Sequence, residues 1–129
     1  MKKILLTCPP MIGMVDEFNE LCEDLGLCLT VPRFDQVAST ELLLELVPLH
    51  DGWIIGDDVA SEQIIHAGQQ GSLKGLVKWG IGIDNIDTEA IRKSGLPFTN
   101  TPGVFGREVA DLAVHYLVGL ARNTFEIND

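Results

Sequence analysis

The sequence predicts an α/β fold, a parallel sheet with helices on both faces, and three observations carry that prediction. Short apolar runs alternate five times with longer amphipathic ones, through short connections. The apolar pair Leu76-Val77 runs into a loop with glycines at 80 and 82, and Asp87-Thr88-Glu89 then opens a helix. The 129 residues make one domain of ordinary size, long enough for five such units. Together they specify a flavodoxin-like three-layer sandwich, with five parallel strands in the expected order 2-1-3-4-5.

The first strand is Lys3 to Thr7, ended by Cys8-Pro9-Pro10 because proline cannot donate to a ladder. Met11, Met14, Val15, Phe18, Leu21, Cys22 and Leu25 then recur at helical spacing, acidic residues take the other face, and Gly26 supplies the stop. A methionine-bearing stripe of this kind is expected to be core. The second strand is Leu27 to Val31, closed by Pro32. Ser39 or Thr40 caps a helix through Leu42, Leu43, Leu46 and Val47, and Pro48 ends it.

The third strand, Gly52 to Ile55, leads to Gly56-Asp57-Asp58, and Ser61 caps a short helix carrying Ile64 and Ile65. Leu76 and Val77 in the fourth strand read as covered on both faces. A helix from about Thr88 to Ser94 stops at Gly95, and the fifth strand is Leu96 to Asn100. The last element differs. Between Arg107 and Arg122, the residues Asp111, His115, Gly119 and Arg122 form one narrow stripe, and apolar side chains cover most of the remaining circumference. Such a helix wants covering from more than one direction.

Composition narrows the function. A hydrophobic content of 46% with mixed charges fits a soluble globular protein, and a net charge of −10 argues against nucleic acid or an anionic membrane as partner. An acidic domain that holds an acidic ligand must place its few cations locally. The apolar run after Met1-Lys2-Lys3 is too short for a signal peptide, and no stretch approaches transmembrane length. Cys8, Cys22 and Cys28 are odd in number and lack Cys-x-x-Cys spacing, which fits free thiols and a cytoplasmic location.

Gly80 and Gly82 remove two Cβ atoms at a strand's carboxyl end, so backbone N–H groups beside Ile81 and Gly82 could hold a carboxylate. Lys78 lies just before them, and taken by itself it reads first as an ordinary exposed strand-end lysine. A dinucleotide fingerprint is rejected. Asn85 stands where its third glycine belongs, no acidic residue follows about twenty residues on, and the loop follows the fourth strand rather than the first. Asp57-Asp58 raises a Mg²⁺-dependent phosphoacceptor site, but Cys8-Pro9-Pro10 occupies the place its other carboxylates need, so the pair is expected to be a solvated turn. Cys8 reads as an inert thiol. His50, His66 and His115 are scattered without metal-ligand spacing, and no metal is expected.

The run Leu73 to Asp87, then Glu89-Ala90, Gly95-Leu96-Pro97 and Thr99-Asn100-Thr101-Pro102-Gly103, resembles the D-isomer-specific 2-hydroxyacid dehydrogenases, most closely the phosphoglycerate dehydrogenase-like members. The resemblance continues through Val109-Ala110-Asp111-Leu112 and Leu120-Ala121-Arg122, and upstream through Asp51-Gly52-Trp53-Ile54-Ile55-Gly56-Asp57. It implies that Lys78, Gly80, Ile81 and Gly82 meet a small anionic 2-hydroxy or 2-keto acid, with the glycine loop on its carboxylate. Lysine there offers a point charge rather than the fork of an arginine.

The resemblance also implies NAD for the full-length family, bound by a Rossmann domain that brings the fingerprint and a catalytic arginine, glutamate and histidine. None of those segments is among these residues. The expectation is therefore a substrate-binding portion at residues 1–103, followed at 104–129 by an apolar helix and tail. Alone it would be inactive, with no catalytic residue and no bound cofactor. The helix at 107–122 is expected to fold back as the fifth helix of the domain or to exchange within a homodimer, because leucines left wet are costly. The alternative is a standalone flavodoxin-like binding or interaction module without enzymatic activity.

Overall fold

The computed structural model describes residues 1–127. Five strands, β1 (Lys2–Leu6), β2 (Leu27–Thr30), β3 (Gly52–Ile55), β4 (Gly75–Lys78) and β5 (Phe98–Thr99), form an all-parallel sheet in the order β2-β1-β3-β4-β5. This is the fold and the strand order expected from the sequence. The helices are α1 (Pro9–Ile12), α2 (Val15–Asp24), α3 (Thr40–Leu46), α4 (Glu62–Gln70), α5 (Thr88–Ser94), α6 (Gly106–Ala121) and α7 (Thr124–Ile127).

Register sorts the core into two layers. Leu5 pairs with Trp53, Trp53 with Leu76 and Leu76 with Phe98, so one face presents a continuous apolar row. Leu43, Val47, Ile64, Ile65, Ala90 and Ile91 from α3, the turn after it, α4 and α5 close over that row. The opposite layer is smaller, with Leu6, Cys8 and Met11 buried and Phe18, Ile54 and Trp79 packed around them. Trp53 is fully buried because its indole N–H donates to the Thr7 hydroxyl at 2.8 Å.

Several elements differ from the sequence reading in instructive ways. Pro9 does not open a loop but starts α1, where a missing N–H costs nothing, and the single long helix expected after it is split into α1 and α2. The methionine stripe is only partly core: Met11 is buried, whereas Met14, Leu21 and Leu25 are exposed. The reason is placement, since α2 packs on the edge strand β2, which is itself half-buried. Val77 is also exposed, because the face it shares with Gly75, Pro97 and Thr99 carries no helix. That correction has one source. α6 does not fold back over β4 and β5; Val109, Leu112, Val114, Leu117, Val118 and Leu120 all remain exposed along it. Its buried residue is Gly119, on the stripe where α7 turns back after Asn123. Residues 128 and 129 of the expected tail lie outside the described residues.

Candidate functional site

The carboxyl ends of β3 and β4 lie side by side, with Ile55 paired to Lys78, and the loops that leave them meet. Lys78 shares the face of Leu76, so its stem enters the core; it is 5% exposed, which excludes the ordinary surface lysine. Its ammonium donates to the Gly56 carbonyl and, at 3.2 Å, to Asp57 Oδ1. Asn85 Nδ2 donates to the same Gly56 carbonyl at 3.1 Å and to the Asp58 carbonyl at 2.6 Å. The Gly56–Asp58 turn and the glycine loop are thereby tied together.

Asp58 is not the solvated residue expected. It is fully buried, its Oδ1 accepting from the Ala38 amide at 2.8 Å and its Oδ2 from the Gly56 amide at 3.3 Å. A carboxylate is kept there because two backbone donors need an acceptor. Asp57, by contrast, points outward, with its side chain 87% exposed beside Lys78.

The glycine loop is fastened at its start and open along its middle. Gly80 has φ +139°, a conformation other residues rarely adopt. Its amide donates to Thr101 Oγ1 at 2.9 Å and its carbonyl accepts from the Thr101 amide at 3.0 Å. Asn100 Nδ2 donates to the Ile81 carbonyl at 3.0 Å. Among the described residues, the amides of Ile81, Gly82, Ile83, Asp84 and Asn85 donate to no protein group. A run of such amides at a strand-to-helix turn is a ready-made seat for an anion.

Asp57, Lys78, Trp79, Gly80, Gly82, Asp84 and Asn85 line a hollow of about 350 Å³ at this point. A Cβ added at Gly80 would meet the Lys78 stem at 3.4 Å, and one at Gly82 would meet Asp84 Oδ1 at 3.2 Å. Both glycines thus border the hollow. Of the four residues expected from the sequence, Lys78, Gly80 and Gly82 line it, whereas Ile81 does not, and its side chain is exposed. Asn85, Thr101 and the Asp57–Lys78 pair were not foreseen. Asn85 had a signal only as the missing third glycine, and the others depend on which loops the fold brings together. A larger groove, about 450 Å³, lies between α4 and α5, but exposed polar side chains line its rim and no buried charge converges on it.

The remaining candidates fall away on geometry. Cys8 is buried, and burial pushes its thiol up, only partly offset by the Met11 amide and the Lys78 charge. His50 is buried against the Leu46 carbonyl at 2.7 Å, His66 is exposed on α4, and His115 lies on α6. No group of three metal-ligating side chains occurs among the described residues. A dinucleotide does not fit the loop either. Carboxylates of Asp57 and Asp84 line the hollow, and the N-terminus of α5 is already capped by Asp87, which accepts from the Ala90 amide at 2.9 Å. No described helix is long and apolar enough to cross a membrane.

Known proteins resemble this chain in sequence and fold. Residues 14–126 match the family described as D-isomer specific 2-hydroxyacid dehydrogenase, catalytic domain. A hydroxypyruvate reductase of Thermotoga maritima is 33% identical over 63% of this chain and 26% of its own length. A glyoxylate/hydroxypyruvate reductase of Arabidopsis thaliana is 30% identical over 92% of this chain and 36% of its own. The crystal structure of an NAD⁺-bound 3-phosphoglycerate dehydrogenase from Entamoeba histolytica superposes with a TM-score of 0.77 at 29% identity, covering 92% of this chain and 38% of that one. The chain thus spans well under half the length of each of these relatives. Fold, loop and family match coincide over the same residues, and the chain belongs to the D-isomer-specific 2-hydroxyacid dehydrogenase family.

Proposed function

We propose that this chain is the substrate-binding portion of an NAD-dependent D-2-hydroxyacid dehydrogenase, and that the hollow at Lys78 to Asn85 receives the carboxylate of a small 2-hydroxy or 2-keto acid. The supporting observation is the row of unengaged amides from Ile81 to Asn85 beside the buried Lys78 ammonium. The amides bind and orient the carboxylate, and Lys78 supplies the local positive charge that an acidic protein needs there. Lys78 also holds the Gly56 carbonyl and Asp57, so the charge that meets the ligand fixes the shape of the turn beside it.

The same reading leaves proton transfer to groups outside the hollow, since no histidine lines it. The 129-residue chain alone therefore binds the acid weakly and does not turn it over. Free thiols at Cys22 and Cys28 support a reducing, cytoplasmic setting, and the exposed apolar length of α6 supports pairing with a second copy. Purified chain mixed with NADH and glyoxylate or hydroxypyruvate should leave the NADH absorbance flat, while calorimetric titration with either acid shows weak saturable binding. Steady NADH consumption would overturn the first statement, and the absence of any binding the second.

A further inference from the structure

The charges around the hollow restrict what else a ligand can carry. Resting on the reading above, we propose that this site selects monoanionic hydroxy or keto acids with an uncharged, hydroxyl-bearing end and rejects acids that carry a phosphate or a second carboxylate. Lys78 is the one cation among the described residues lining the hollow, and two carboxylates, Asp57 and Asp84, line it with Lys78. The lining is therefore net negative before any ligand enters.

Lys78 has little left to offer a second anionic group. Of its three N–H donors, one goes to the Gly56 carbonyl and one to Asp57 Oδ1. The amide row, with the one remaining donor and the charge of Lys78, suffices for a single carboxylate. A phosphate at the far end adds close to two negative charges near neutral pH, and the described residues lining the hollow offer it no cation besides the engaged Lys78. Instead it faces Asp57 and Asp84 across a small hollow, and a like charge at close range in a watery setting weakens binding about fivefold to tenfold per contact. Asp57 suits a different group. Its exposed carboxylate takes one donor, from Lys78, and keeps lone pairs for a ligand hydroxyl.

The test is a pair of calorimetric titrations of the 129-residue chain at fixed ionic strength and neutral pH, one with D-glycerate and one with 3-phospho-D-glycerate. The two differ only in the phosphate. Glycerate is expected to bind at least about tenfold tighter, and the ratio should shrink severalfold in Asp57→Asn and further when Asp84→Asn is added. Equal or tighter binding of the phosphorylated acid would overturn the selectivity while leaving the acid-binding reading intact. An unchanged ratio in the double variant would overturn it as well, because these charges would then not set it. Failure of both acids to bind would overturn the underlying reading and the selectivity with it.

Discussion

Lys78 and Asp58 show how far single residues could be understood from the sequence. Position marked Lys78 as a candidate, but only the fold shows that its stem is buried and that its ammonium is shared with Gly56 and Asp57. Lys78→Met keeps the stem and removes the charge. It should lower stability by about 1–2 kcal/mol, the cost of a charged donor withdrawn from a carbonyl that Asn85 still serves, and abolish acid binding. Urea midpoints and titration of the variant check both. Asp58 was invisible as a buried group, because the sequence cannot tell which of two adjacent aspartates turns inward. Asp58→Ala leaves the Ala38 and Gly56 amides without their acceptor, and unfolding free energies should fall by about 2–4 kcal/mol. Asp51 carries a pH prediction. The Lys3 amide and then the Lys2 ammonium hold its carboxyl below the ordinary value of 3.8. A depressed folded value means stability in place above the unfolded value and lost as pH falls through the folded one. Stability profiles of the parent chain and Asp51→Asn should therefore converge on acidification and separate as pH rises.

At the scale of elements, periodicity located almost every helix and strand, and errors arose where tertiary placement decided burial. The stripe from Met11 to Leu25 has helical spacing whether or not a sheet lies under all of it; here the edge strand β2 supports only part. Thiol labelling reads this gradient directly. Cys28 is exposed, Cys22 half-buried and Cys8 buried with its thiol pushed up, so a thiol reagent should modify them in that order, Cys8 only on unfolding. The join between α4 and the turn at Val47–Leu49 depends on a close approach. A Cβ at Gly71 would lie 2.3 Å from the Pro48 carbonyl oxygen and 2.7 Å from its Cα, both backbone. Gly71→Ala must push these segments apart and should cost about 1–3 kcal/mol in chemical denaturation.

For the whole molecule, the sheet order was legible because right-handed crossovers leave few ways to wind five alternating units. The course of α6 was not. Its sequence shows a helix apolar nearly all round, but whether it returns to β4 and β5 depends on the chain between Asn100 and Phe105, which carries it outward. Burial of an exposed leucine contributes about 1.5–3 kcal/mol, so a helix with this many should self-associate. Sedimentation equilibrium is expected to give a mass that rises with concentration, and a constant monomer mass would contradict the proposed pairing through α6. The hollow joins all three scales, since a lysine, two loops and a sheet edge have to coincide to make it. Backbone amide NMR during a titration with glyoxylate tests that coincidence most directly. The account predicts that the largest saturable shifts fall on the amides of Ile81 to Asn85 and disappear in Lys78→Met. Shifts centred on the groove between α4 and α5, or undiminished in that variant, would contradict it.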